Sequence, residues 1–273
     1  MVSIIKEIKA YTSFTINSIH QALCYKSNVF FEILSNGVIL VVTYFLWMAI
    51  YKNSSFNIIK GFTKNEMILY IILTFLTPLL TSIRVLGTVF NEVKSGRIAT
   101  NLVKPINFRI RLIFEALGRV IFNLTTVFLI GFIILLVLAF KFNYHLSFIN
   151  IILYFISCTF SFLIFFHIYY SFALLSFKIT NMWGLSRMVL AIIDLFSGSL
   201  IPISFFPNAI KSLLLYLPFS SIIYTPTMIF LGKLTPHEIG VSFLIQICWV
   251  IILVIISKIM WHIEIKNITI LGG

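Results

Sequence analysis

Residues 148–177 hold thirty consecutive positions without one charged side chain. A helix needs about 20 apolar residues to cross a bilayer core. A run this long and this even has no face to give to water, so it reads as buried in lipid or protein. It exceeds one crossing, so it tilts or extends past the membrane. Composition agrees: the chain is 60% hydrophobic and 10% charged, with 29 Phe. Those figures exclude a secreted disulfide scaffold, a disordered tail and a cytosolic enzyme, and leave a multi-span membrane protein.

Six further apolar runs accompany the first. Residues 29–51 are apolar apart from Glu32, residues 67–83 contain Pro78, and residues 120–140 and 239–257 carry no charge. Residues 188–206 are broken by Asp194 and Pro202, and residues 212–231 hold Pro218 and Pro226. Proline inside a helix removes a backbone donor and clashes with the preceding turn. Pro202, Pro207, Pro218 and Pro226 therefore mark irregular backbone, which at membrane depth must be shielded or meet water. We read residues 205–231 as a re-entrant hairpin that enters and leaves from one side. The expectation is an all-α membrane protein of six spans with both termini on the same side. Residues 1–28 form an interfacial amphipathic helix, with Ile4, Ile8 and Tyr11 on one side and Lys6, Glu7, Lys9 and Ser13 on the other. An ordinary short cytoplasmic helix fits that pattern equally well. Residues 29–273 form one six-span domain. No cleavable leader is expected, because residues 1–26 lack a compact apolar run.

The net charge is +12. Its basic residues lie between apolar runs, which points to the positive-inside bias and anionic lipid rather than to nucleic acid. Residues 84–119 hold seven of them: Arg84, Lys94, Arg97, Lys104, Arg109, Arg111 and Arg119. That loop is expected in the cytoplasm. With six spans, fourteen of the twenty basic residues share its side; seven spans would move only Lys258 and Lys266 of the tail outside, so charge alone separates the two counts weakly. The six-span reading places both termini in the cytoplasm, in a plasma (inner) membrane.

The segment 88–119 is the most informative stretch. Gly96 is expected to break one short helix, and Pro105 to begin a second, where its missing N–H costs nothing. Arg111, Glu115 and Arg119 are spaced four apart, so Glu115 is expected to pair with both arginines. Glu92 and Lys94 precede the Gly96 break and are expected to present charge to a cytosolic partner. A membrane-dipping amphipathic elbow is the plainer alternative.

The run Gly96-Arg-Ile-Ala-Thr-Asn-Leu-Val-Lys-Pro-Ile-Asn resembles the "G-x-L-x-x-x-L-x-R/K-P-V/I-N/S" stretch of type-2 ABC exporter permeases. Ile98 stands where that family usually has Leu. Phe196-Ser-Gly-Ser-Leu-Ile-Pro-Ile-Ser-Phe-Phe-Pro is similar to the family's signature at the end of the fifth span. Leu217-Pro-Phe, Tyr224-Thr-Pro, Ile229-Phe-Leu-Gly and the ending Asn267-Ile-Thr-Ile-Leu-Gly-Gly follow in the family's order. The resemblance implies a coupling helix between spans two and three, a helical hairpin before span six, and a pair of permeases seated on ABC ATPase subunits. It assigns coupling to the segment carrying Glu92, Lys94, Gly96, Arg97, Lys104, Pro105 and Arg109. The hairpin region then carries Gly198, Pro202, Pro207, Pro218 and Pro226.

Other chemistry is missing from the sequence. The only Gly-Lys pair, Gly232-Lys233, is followed by leucine, so the phosphate-cradling loop of an ATPase is absent. ATP and magnesium are therefore expected on a separate subunit, with no cofactor in this chain. His20, His145, His167, His237 and His262 have no metal-site spacing. Cys24, Cys158 and Cys248 support neither a disulfide framework nor a zinc site. Ionisable groups at membrane depth are functional candidates by default. Asp194 is either a helix-packing carboxylate bonded to Ser, Thr, Tyr or Arg187, or a substrate contact. His167 is expected as a hydrogen-bonded interior residue, or as part of a transport path. Glu32 is expected to reach the interface or pair with a basic residue.

The leading expectation is thus the permease subunit of an ATP-driven exporter for an amphipathic or hydrophobic substrate, such as a drug, peptide or lipid-like molecule. A stand-alone secondary carrier would need a midplane cluster of ionisable groups and internal repeats. A membrane enzyme acting on lipid would need convergent nucleophiles. Neither pattern is visible.

Overall fold

The apolar runs become helices because a chain in lipid must satisfy every backbone N–H and C=O within its own segment. A computed structural model describes residues 2–81, 83–179 and 181–267; the Ile-Thr-Ile-Leu-Gly-Gly part of the C-terminal resemblance lies outside them. Helix α1 spans Val2–Cys24 and α2 spans Lys26–Asn53, with a break at Tyr25. The helix boundary therefore falls three residues before the expected end of the N-terminal unit at 28. A two-strand hairpin follows, β1 (Ile58–Ile59) against β2 (Phe62–Thr63). The sequence reading did not include it. Its signal is Lys60-Gly61, both at positive φ, the conformation that two-residue hairpin turns demand.

Helix α3 (Lys64–Thr81) starts on a reciprocal cap in which Thr63 and Glu66 satisfy each other's backbone N–H groups. Pro78 lies near its end. Helices α4 (Val85–Lys94) and α5 (Arg97–Leu102) are separated at Gly96. Gly96 sits at φ 71° with open space around it, so its backbone, not packing, calls for glycine. Helix α6 (Phe108–Asn123) passes through a π-turn at Leu124–Phe128 into α7 (Leu129–Lys141). The Thr125 and Thr126 hydroxyls donate to carbonyls at Ile121 and Phe122, which the widened turn loosens. The continuous helix has 34 residues, about 51 Å at 1.5 Å each. It starts twelve residues before the expected third span, so part of the basic segment belongs to that helix.

Helix α8 (Phe148–Leu174) is the centre of the molecule, packed against α12 (Pro236–Glu264), α11 (Tyr224–Phe230), α4 and α3. Its polar side chains face those neighbours. Gln246 of α12 (Pro236–Glu264) donates to Ser157 Oγ at 2.9 Å and to the Ser221 carbonyl at 2.9 Å. Thr77 and Tyr154 join hydroxyls at 3.1 Å. Without water, such bonds hold apolar helices in register.

Among the described residues, five stretches are long and apolar enough to cross a membrane: Val29–Asn53, Lys64–Lys94 (which holds α3 and α4), Phe108–Lys141, Phe148–Phe177 and Pro236–Glu264. Residues 188–206 do not form one continuous helix. Helix α9 runs from Trp183 to Phe196, 14 residues, about 21 Å against a core of about 30 Å. The chain then turns at Gly198, φ 84°, whose carbonyl accepts from the Tyr70 hydroxyl at 2.5 Å. Two short helices follow, α10 (Asn208–Tyr216) and α11 (Tyr224–Phe230). All of α11 is buried, mainly against α8 and α3. Pro226 lies in its first turn, where it breaks no hydrogen bond.

Candidate functional site

Burying a carboxylate requires a cation with good geometry, and the basic segment contains such a pair. Glu92, on the last turn of α4, is 7% exposed. Arg111 of α6 donates both terminal nitrogens to it, at 2.9 Å to Oε1 and 2.8 Å to Oε2. The Arg111 guanidinium also lies 4.9 Å from the Phe108 ring centre and 3.2 Å from Glu115. Glu92 thus clamps α4 to α6 and is not presented to a partner, which corrects the sequence expectation. The expected Glu115 bridge is half present: Arg111 takes it, but Arg119 pairs with Glu32. Glu32 also accepts from Arg84 at 2.7 Å. One carboxylate of α2 therefore gathers cations from before α4 and from α6.

Beyond this clamp the segment is exposed. Lys94, Gly96, Arg97, Lys104 and Pro105 face outward. Arg97 Nε donates to Ser95 Oγ at 3.0 Å and Lys104 Nζ to Asn101 Oδ1 at 2.9 Å. Pro105 does not start the second helix, as expected from sequence; it lies in the connection, and Asn107 caps α6 by accepting from the Ile110 N–H at 3.2 Å. Among these cations Val103 is 85% exposed, a residue that sequence reasoning passed over. An apolar side chain at the tip of a basic loop was legible only as a neutral spacer. Ile98 is buried in the core behind the tip. Arg109 is half-buried, and its Nη1 has no partner among the described residues.

Helix α1 braces the same region. Thr15 Oγ1 donates to the Phe114 carbonyl at 2.8 Å, and the Asn107 N–H donates to the Tyr11 hydroxyl at 2.8 Å. Contacts advance together along both helices, so α1 and α6 run side by side. Gly118 permits this: a Cβ there would overlap the Thr15 carbonyl oxygen and Ser18 Cβ.

A second feature is a cavity of about 570 Å³ between α2, α3, α8 and α9. Its walls are mostly apolar, with Asp194, Arg187, Tyr169 and Asn36 among the polar groups. Asp194 forms no side-chain hydrogen bond or ion pair among the described residues, so the expected packing bond to Ser, Thr, Tyr or Arg187 is not made. Arg187 instead lies 5.8 Å over the Trp183 ring. His167 does not line this cavity; it is 3% exposed and its Nδ1 meets Ser257 Oγ at 3.0 Å. It is a hydrogen-bonded interior residue. Gly198 packs against Tyr224 and Tyr70, Pro202 precedes a short 3₁₀ turn, Pro207 precedes α10, and Pro218 lies between α10 and α11.

At the opposite end of the bundle a polar cap closes the helices. Lys233 bonds Glu66 at 2.8 Å and the Gly61 carbonyl at 2.8 Å, and lies 4.8 Å from the Phe62 ring centre. Tyr144 donates to the Leu231 carbonyl at 2.5 Å. None of these partners is within helical reach in sequence.

A family model described as ABC-2 family transporter protein matches residues 38–272. No curated protein matches the chain.

Proposed function

The chain belongs to the ABC-2 transporter family, which makes it a multi-pass membrane permease of an ABC transporter, and from that premise we propose that it drives outward movement of an amphipathic or hydrophobic substrate using a separate ATPase. That ATPase subunit binds the ATP and magnesium. A second permease, identical or paralogous, completes the membrane pathway. In support of the pairing, α2 is almost wholly uncovered within the chain and exposes Phe30, Phe31, Val38, Val42 and Phe45. Such a face requires lipid or another subunit.

The observation that carries the coupling role is the exposed tip, residues 94–105, mounted on the buried Glu92–Arg111 clamp. A rigid mount transmits motion, and an exposed apolar residue ringed by cations suits a protein groove. Val103, Lys94, Arg97 and Lys104 make the contact in this reading, and Glu92 holds them in place. ATP-driven closure of the ATPases pushes the tip and rearranges the helices around the α2–α9 cavity. That cavity's apolar walls and its Asp194 fit an amphipathic drug, peptide or lipid-like cargo. The expected result for Val103→Asp is roughly tenfold weaker ATPase retention, the scale of one well-packed interface residue. Subunit retention during purification and substrate-stimulated ATP hydrolysis both read it. If that variant and a reversal of Lys94, Arg97 and Lys104 together are silent, the tip is not the docking element.

In the same reading the chain crosses the plasma (inner) membrane six times. The short α9 and the irregular stretch after it make the fifth crossing, and α10–α11 form a re-entrant hairpin. Both termini are cytoplasmic, and α1 lies at the membrane interface beside α6. Single cysteines at Asn208 and Lys233 test the hairpin. Both should react with an impermeant thiol reagent added outside. Reaction of the two from opposite sides would make α10–α11 a true span.

A further inference from the structure

Between α1, α4 and α6 lies a cavity of about 790 Å³. Its size falls in the range of small-ligand sites. Five cations line it, Arg84, Arg97, Lys104, Arg111 and Arg119, against two carboxylates, Glu92 and Glu115. Glu32, just outside, binds Arg84 and Arg119. Positive charge remains in excess after every such pair is counted. Two of the arginines also have unused donors. Arg111 and Arg119 are 5% and 8% exposed, and the Nε of each lacks a partner among the described residues. Those two atoms are closed off from open space, so the groups that would meet a phosphate directly are the exposed Arg84, Arg97 and Lys104, whose donors suit phosphate oxygens.

We propose that this cavity binds the phosphate headgroup of an anionic membrane lipid. Two features favour a lipid over a free phosphate. Tyr25, in the break between α1 and α2, and Val29 of α2 continue the wall, and Phe30, Phe31 and Leu34 beyond them are exposed apolar side chains along which acyl chains can lie. The α1 wall supplies Asn17, Ser18 and Gln21, neutral hydrogen-bonding groups suited to a glycerol backbone or headgroup. A lipid seated there would touch α1, α4 and α6 together. It would stiffen the mount on which the exposed tip stands; Arg97 and Lys104 belong to both the cavity and the tip, but lipid retention is read separately from retention of the ATPase.

The experiment is native mass spectrometry of the delipidated, purified transporter with added phosphatidylglycerol, phosphatidylcholine or inorganic phosphate. The expected result is one retained phosphatidylglycerol per permease chain, with roughly tenfold preference over phosphatidylcholine, given the favourable contribution of each surplus cation to an anionic headgroup. Millimolar inorganic phosphate should not displace it. In Arg84→Gln/Arg97→Gln, both side chains being exposed, the preference should fall toward equality. Equal retention of the two lipids by the unsubstituted protein would overturn the proposal without any variant. Displacement by inorganic phosphate alone would assign the cavity to a free phosphate, and an unchanged preference in the folded double variant would place the lipid elsewhere.

Discussion

Arg111→Met should destabilise the permease by about 3–5 kcal/mol, the usual cost of leaving one partner of a buried ion pair uncompensated. Glu92 would then sit 7% exposed without its two-pronged partner, and with the like charge of Glu115 nearby. Glu92→Lys should be at least as damaging, because it places a cation against the Arg111 guanidinium. The double substitution Glu92→Met/Arg111→Met should recover most of the loss, since an apolar pair of similar volume needs no desolvated charge. Thermal unfolding of the purified transporter measures all three. If both single variants unfold at the parent temperature, the clamp does not hold α4 to α6. If the double variant is as unstable as the singles, the loss comes from packing against Phe108 rather than from the charges.

Gly118→Ala tests the other brace. The added methyl meets the Thr15 carbonyl, part of the backbone of α1, and the Ser18 Cβ. Backbone cannot rotate aside as a flexible side chain would, so α1 must move away from α6. The movement would weaken the bonds from Thr15 to the Phe114 carbonyl and from the Asn107 N–H to Tyr11. The expected loss is about 1–3 kcal/mol, the range for overpacking a close contact. Faster proteolysis at the α1–α2 junction should accompany it, because α1 is tied to α2 only through the break at Tyr25. Parent-like stability and cleavage rate would mean that α1 can shift without cost, and that the side-by-side packing is not structurally important.

Family membership follows from a match over residues 38–272, and the sequence reading had reached the same family from the 96–107 and 196–207 stretches. The coupling segment shows where such reading stops. The Gly96 break was legible, because glycine between two short helical patterns has one common meaning. The role of Glu92 was not. From sequence it is an acid near a helix end, free to face any direction. Its partner is Arg111, 19 residues away, across a helix break and a capped loop.

The same division runs through the whole chain. Long apolar runs determined α2, α7, α8 and α12, because lipid leaves an apolar backbone almost no alternative to helix. Clustered basic residues marked the segment that contains α4 and α5. Proline spacing marked the irregular stretch that contains α10 and α11, though not the end of α9 at Phe196, which depends on Gly198 receiving Tyr70 from 128 residues away. Likewise, Glu32 meets Arg84 and Arg119 over 52 and 87 residues, and Lys233 reaches back 172 residues to Gly61. Local pattern reports only which residues share a face within one helix, three or four positions apart. Which charge is buried, which is left at the tip, and which polar atoms are left unpaired in a cavity depend on how helices distant in sequence pack, and the tertiary structure alone decided that.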